Sequence, residues 1–266
     1  MPSQRDAFGK GIPLACFPYR ACITFRLEVI ILQERRPIPK RPSKKHDPKG
    51  LTILYEDHDI LVVNKSNGLL TVSTDKEKDK TAYFLLNNYV RKGNARSRNR
   101  IFIVHRLDRD TSGVLVFAKH EKTQRYLQDE WVAFRKTYIA VVHGILQEKE
   151  GVITSYLAEN KAHRMYSVVS PEKGKFSKTG YKVIKESGKY SLLEITLFTG
   201  RKNQIRVHFS EKGHPVVGDK VYGQIDKGIH RLALHALSLS IVHPVTKKEM
   251  TFEAEPPGYF KVLMKN

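Results

Sequence analysis

Cysteine is nearly absent from this chain: two in 266 residues, Cys16 and Cys22, with five residues between them. That spacing fits neither a zinc knuckle nor a thioredoxin-like pair, and a reducing cytoplasm is the expected location. Long hydrophobic runs are missing too. No window of about eighteen apolar residues exists, and the most apolar N-terminal stretch is interrupted by Pro13, Pro18, Arg20 and Arg26, which excludes an evident membrane span or signal peptide. There is no Gly-rich dinucleotide loop, no metal-spaced His/Cys cluster and no repeat of solenoid period. Acidic residues are the last shortage: 27 Asp and Glu stand against 47 Lys and Arg, giving a net charge of +20 and a pI near 9.9. An imbalance of this size points to a polyanionic partner, because each phosphate neutralised by Lys or Arg releases counterions.

What is present is a globular chain, 40% apolar. Residues 1–50 read as a tail or linker, poorly ordered, where "RRPIPKRPSKKHDPKG" alternates proline with basic residues and no apolar face forms. Residues 51–266 read as one domain. "ILYED" and "ILVVNK" pattern as a hairpin closing on "SNG", "TAYFLLNNYVRKG" as a helix capped by Gly93, and "GVLVFAK" as a buried strand. "EKTQRYLQDEWVAF" follows as a helix anchored by Leu127 and Trp131, and "KTYIAVVHG" as another strand. In the second half "VITSYLAE", "TGYKVIKE" and "YSLLEITLFTG" are strands, "RKNQIRVHFSEKG" a helix, and "LHALSLSIVHP" with "EMTFEAEPP" a final hairpin. Hairpin-compatible connections outnumber parallel crossovers, so the expected fold is α+β: a large, mostly antiparallel or mixed sheet with a few helices.

The densest chemistry lies in "HRLDRDTSG", residues 105–113. Asp108, Asp110, Ser112 and Gly113 occupy positions one, three, five and six of a calcium loop, but position twelve is Lys119, where a bidentate Glu is needed. A second reading is a charged turn in which Arg106 and Arg109 neutralise the aspartates. A third makes one aspartate a catalytic carboxylate on a loop between buried strands, tuned by arginines.

"HRLDRDTSGVLVFAK" resembles the signature of the RluA-type pseudouridine synthase family: His-Arg-Leu-Asp, two variable residues, then Thr-Ser-Gly. "YEDHDILVVNKSNGL", "KTYIAVVHG", "TGRKNQIRVH", and "HPVVGDKVYG" with "LHALSLSIVHP" match further family segments in order, so that the resemblance spans about residues 52–262. Two positions depart from the pattern. Ser66 stands where the family usually has proline, and Asn203 replaces the usual histidine of its basic motif. The family's S4-type RNA-binding module is not visible in residues 1–50, so the chain is similar to shorter members built on the catalytic domain alone.

The resemblance implies an isomerase that converts uridine in ribosomal or transfer RNA to pseudouridine, moving C1′ of the ribose from N1 to C5 of uracil. No redox change occurs and no cofactor or metal is required. The resemblance makes Asp108 the catalytic carboxylate, Arg206 its buried cationic partner, Tyr138 the active-site tyrosine, and Arg106 the residue filling the place of the flipped base. Arg201, the alternative partner, sits about 140° from Arg206 on an ideal helix. His105 is expected to order the loop by hydrogen bonds, Thr111, Ser112 and Gly113 to shape the turn, and Asp110 to serve the surface or turn. Lys65, Lys119, Arg201 and Lys202 are the candidate RNA contacts. A monomer without an obligatory protein partner or membrane attachment is expected. Two rivals remain at this point: a non-catalytic RNA-binding protein that kept the fold, and a base-flipping glycosylase, which would release uracil instead of retaining it.

Overall fold

β-Branched residues fill the centre of the molecule, and burying them sets the arrangement of strands. A computed structural model describes residues 48–73, 77, 79–224 and 228–265. All but the last three residues of the expected N-terminal tail therefore lie outside the described residues. The elements run β1 (Leu51–Glu56), β2 (Ile60–Lys65), α1 (Ala82–Arg91), β3 (Phe102–Ile103), β4 (Ser112–Ala118), α2 (Glu121–Asp129) and β5 (Arg135–His143). They continue with β6 (Glu150–Glu159), β7 (Met165–Val168), β8 (Lys175–Glu186), β9 (Tyr190–Leu197), α3 (Gln204–Glu211), β10 (Leu234–Val242), β11 (Glu249–Glu253) and α4 (Gly258–Leu263). The eleven strands form one sheet in the order β1-β2-β4-β10-β5-β9-β8-β6-β7, with β11 on β10 and β3 on β4. Every pairing is antiparallel except β4 with β10. The expected α+β fold on a large mixed sheet is what forms.

Local chemistry explains the first hairpin. The Oδ1 of Asp57 accepts from the backbone N–H groups of Asp59 (2.8 Å) and Ile60 (2.7 Å), an Asx turn that reverses the chain between β1 and β2. The seven residues of β4 are all buried, and alternate side chains enter two different cores. Val114 and Val116 join Ile60, Val62, Leu127 of α2 and Leu239 on one side, while Leu115 and Phe117 join Leu61, Val63, Leu86 of α1 and Leu107 on the other. Truncating a buried phenylalanine such as Phe117 costs about 3–5 kcal/mol, so this sandwich holds the strand that follows Asp108.

Gly113 makes the parallel contact between β4 and β10 feasible. Its φ is +117°, and a Cβ there would fall 2.2 Å from the carbonyl oxygen of Ala236. The strand expected from Gly113 begins one residue earlier, so that Ser112, expected in the turn, opens β4. Ser112 Oγ also bonds Nδ1 of the buried His235 at 2.8 Å.

Helix boundaries moved most. α2 ends at Asp129, leaving Trp131 in the following turn against His105 (ring centroids 4.2 Å apart) and Phe134. The helix expected over 201–213 starts only at Gln204, because Asn203 is left-handed (φ 52°, ψ 17°). Arg201 is therefore not helical, and its angular separation from Arg206 on a helix does not apply. Short β7 and terminal α4 were not anticipated; α4 forms after Pro256 and Pro257 and buries Phe260 and Leu263.

Candidate active site

Asp108 lies between β3 and β4 in an open cleft of about 760 Å³ at the middle of the sheet. Two walls meet there. The first is the segment after β2, which grips the backbone of the Asp108 loop. Thr71 Oγ1 donates to the carbonyl of Leu107 (2.7 Å) and accepts from its N–H (3.2 Å). Gly68 N–H donates to Arg109 O at 2.9 Å, and the Asn67 amide donates to Asp110 O. Within the loop, Thr111 N–H returns to Asp108 O at 3.2 Å.

The second wall is α3 with its flanks, which reaches the carboxylate itself. Asn203 Nδ2 donates to Asp108 Oδ2 at 2.6 Å, whereas Arg206 Nη1 stands 3.5 Å from the same oxygen. The buried guanidinium of Arg206 has a closer partner. Its Nε and Nη2 donate to the two oxygens of Asp219 at 2.6 and 2.7 Å, and it lies 5.0 Å from the ring centre of Tyr222. Burial opposes that charge, but the Asp219 bonds and the nearby Asp108 outweigh it and raise the affinity of Arg206 for its proton. Asp219 is held in turn by the N–H groups of Val221 (2.9 Å) and Tyr222 (3.0 Å). Tyr138, on β5, lines the same cleft; burial and then the charge of Asp108 push its phenol upward, which keeps it a neutral hydroxyl.

A family model described as RNA pseudouridylate synthase matches residues 59–211. The uncharacterized RNA pseudouridine synthase YhcT of Bacillus subtilis is 38% identical over 218 residues, covering 80% of this chain and 71% of that protein. This chain belongs to the RNA pseudouridylate synthase family. The ribosomal large subunit pseudouridine synthase D of Borreliella burgdorferi is 35% identical over 222 residues, 81% of this chain and 68% of that one. Among solved structures, human RNA pseudouridylate synthase domain containing 1 superposes with a TM-score of 0.64 at 28% identity, covering 82% of this chain and 86% of that one. The chain is thus a pseudouridine synthase, an isomerase acting on RNA.

Several residues expected in the synthase's site are brought together, and two are not. Asp108, Tyr138, Arg206, Arg106, His105, Arg201 and Lys202 all line the cleft. Arg106 is exposed there. His105 Nε2 accepts from Val116 N–H at 3.2 Å, and burial, aided by the charge of Lys136, lowers its pKa to about 3, so it is a neutral loop-ordering group. Arg201 Nε donates to Phe176 O (3.1 Å), and Lys202 pairs with Glu159 at 2.6 Å on the rim.

Lys65 is no RNA contact. Its side chain is fully buried, and the ammonium donates to the carbonyls of Ser66 (3.0 Å), Leu69 (2.7 Å) and Arg109 (3.0 Å). Burial pulls it to about 7 against the opposing pull of Asp108 and Asp110. Lys119 is also elsewhere: it pairs with Glu56 at 2.7 Å, tying the end of β4 to β1, and does not line the cleft. Asn203, Asp219, Tyr222 and Thr71 were missed as site residues. "TGRKNQIRVH" and "HPVVGDKVYG" contain the first three, but nothing in local spacing says which side chains turn toward Asp108. Among the described residues, two groups have metal-capable spacing, His58/Asp59/His120 and Asp57/Asp59/His243, and neither lines the cleft.

Proposed function

We propose that this synthase isomerises specific uridines of ribosomal or transfer RNA, with Asp108 as the reacting carboxylate. The observation that carries the reading is the placement of Asp108: a carboxylate in the cleft, its backbone gripped by one wall and its Oδ2 held by Asn203 and Arg206 of the other. The C1′–N1 bond of the target breaks, the uracil turns while retained, and C1′ joins C5 as the C5 proton leaves. A carboxylate at C1′ or C2′ serves either as nucleophile or as the base that forms a glycal-like intermediate. Exposed Arg106 beside it is suited to occupying the stack that the flipped base vacates. Tyr138, held as a neutral phenol, is better suited to stacking on the uracil than to taking the C5 proton as a phenolate.

Ribosomal RNA is supported by the relative named for the large ribosomal subunit, and a polyanionic substrate by the charge of +20. No helix among the described residues is long and apolar enough to cross a membrane. We place the enzyme in the cytoplasm, acting as a monomer. The test is pseudouridine mapping of total RNA from cells lacking the gene and complemented with wild type or Asp108→Asn. One or a few sites should lose pseudouridine on deletion and regain it only with the wild type. Unchanged sites, together with a purified protein inactive on unmodified bulk RNA, would overturn the reading.

A further inference from the structure

We infer that Asn203 is a positioning residue of this synthase, its amide fixing the orientation of the Asp108 carboxylate through Oδ2. The inference rests on Asp108 being the reacting group. Three observations converge on it. The Asn203 Nδ2 to Asp108 Oδ2 distance is 2.6 Å, against 3.5 Å from Arg206 Nη1, so a neutral amide is the nearer donor and the guanidinium is mainly engaged by Asp219. The Asn203 backbone is left-handed, at φ 52° and ψ 17°, a region that few side chains enter and that Asn, Asp and His tolerate best. Finally, Asn203 immediately precedes α3, where an asparagine ordinarily uses its oxygen to cap the first turn, yet its side chain makes no capping bond.

The amide is directed elsewhere on both sides. Its Oδ1 receives the Tyr222 hydroxyl at 3.5 Å while its Nδ2 donates to Asp108. Because a carboxylate only accepts, the donor end must face Asp108. Both contacts to the carboxylate fall on Oδ2, which leaves Oδ1 as the oxygen without a partner among the described residues and so the one available to the ribose. Strained backbone, a forgone cap and a short bond to the reactive group form a pattern that function explains and helix stability does not.

The experiment measures release of tritium from unmodified ribosomal and transfer RNA transcripts carrying [5-³H]uridine, with kcat and KM separated on whichever is a substrate. Asn203→Gly keeps the left-handed backbone and removes the donor; Asn203→His keeps an N–H donor and tolerates the same backbone. Asn203→Gly should lower kcat by about ten- to a hundredfold with KM changed less than about twofold, and Asn203→His should recover most of the loss at unchanged melting temperature. If Asn203→Gly fails to fold, Asn203→Asp, nearly isosteric and lacking the donor, carries the test and should lose at least as much. Wild-type kcat in a folded donor-less variant, or a rise in KM alone, overturns the role of Asn203 while leaving Asp108 intact. A wild-type enzyme inactive on the transcripts overturns this inference together with the function on which it rests.

Discussion

The two walls of the cleft hold the same aspartate by different means. The segment 65–71 bonds the backbone and not the Asp108 side chain: Lys65, Gly68 and Thr71 bind main-chain groups of Leu107 and Arg109. The opposite wall does the reverse, with Asn203 and Arg206 meeting the carboxylate and Asp219 holding Arg206. One wall decides where the carboxylate stands, the other which way it points, and both lend it positive charge through Lys65 and Arg206. Position comes from buried backbone bonds, which are costly to break but indifferent to the reaction, while orientation comes from side chains that can be altered one donor at a time.

Removing the group held between the walls should have the largest effect. Asp108→Asn keeps the shape and should reduce kcat by about a thousandfold or more, with RNA affinity near wild type in a filter-binding titration. Next comes the anchor of the second wall. Asp219→Ala leaves the buried Arg206 guanidinium without its main partner and should cost about 3–5 kcal/mol in chemical denaturation, along with activity. On the first wall, Lys65→Met leaves the carbonyls of Ser66, Leu69 and Arg109 short of a donor and should cost about 2–3 kcal/mol. Its kcat should fall with its stability, whereas Asn203→Gly should lose kcat alone. A Lys65→Met enzyme with wild-type stability would erase the distinction between the walls.

Acid should loosen the scaffold under both. Burial lowers His105 to about 3 and His208 and His235 to about 4, below the 6.5 of an unfolded chain. The unfolded state therefore binds more protons, and the stability these neutral rings contribute is full above about pH 6.5 and lost as pH falls through about 4. The melting temperature should drop across that window, and His208→Gln should make the drop shallower. The smallest effect belongs to the rim: Lys202→Ala should weaken RNA binding by about two- to fivefold and flatten its salt dependence by about one phosphate, leaving kcat unchanged.

Much of the first wall's setting was legible in the sequence, because the unbroken apolar, β-branched runs in "ILVVNK" and "GVLVFAK" read as buried strands and "HRLDRDTSG" marks the loop between buried segments. Arg206 was named as a cation for Asp108 by the family resemblance and not by its spacing, and its stronger bond to Asp219 was not foreseen. Lys65 was misjudged because a lysine ending a strand looks exposed; only the folded loop shows three carbonyls converging on it. The second wall resists local reading, since Asn203 and Arg206 meet Asp108 across 95 and 98 residues. The start of α3 was misplaced for a related reason: Arg201 and Lys202 suit a helix by propensity, and a tertiary bond at Asn203 decides the boundary.

The place of β10 in the sheet makes the Asp108 loop a long-range construction. It lies between β4 and β5, pairing with both, yet β6, β7, β8 and β9 separate it from β5 in the chain. Without residues 234–242, β4 and β5 would face each other across a gap one strand wide. Ser112 and Gly113 meet their partners His235 and Ala236 only through β10, so the seating of the Asp108 loop depends on residues 123 positions further along the chain.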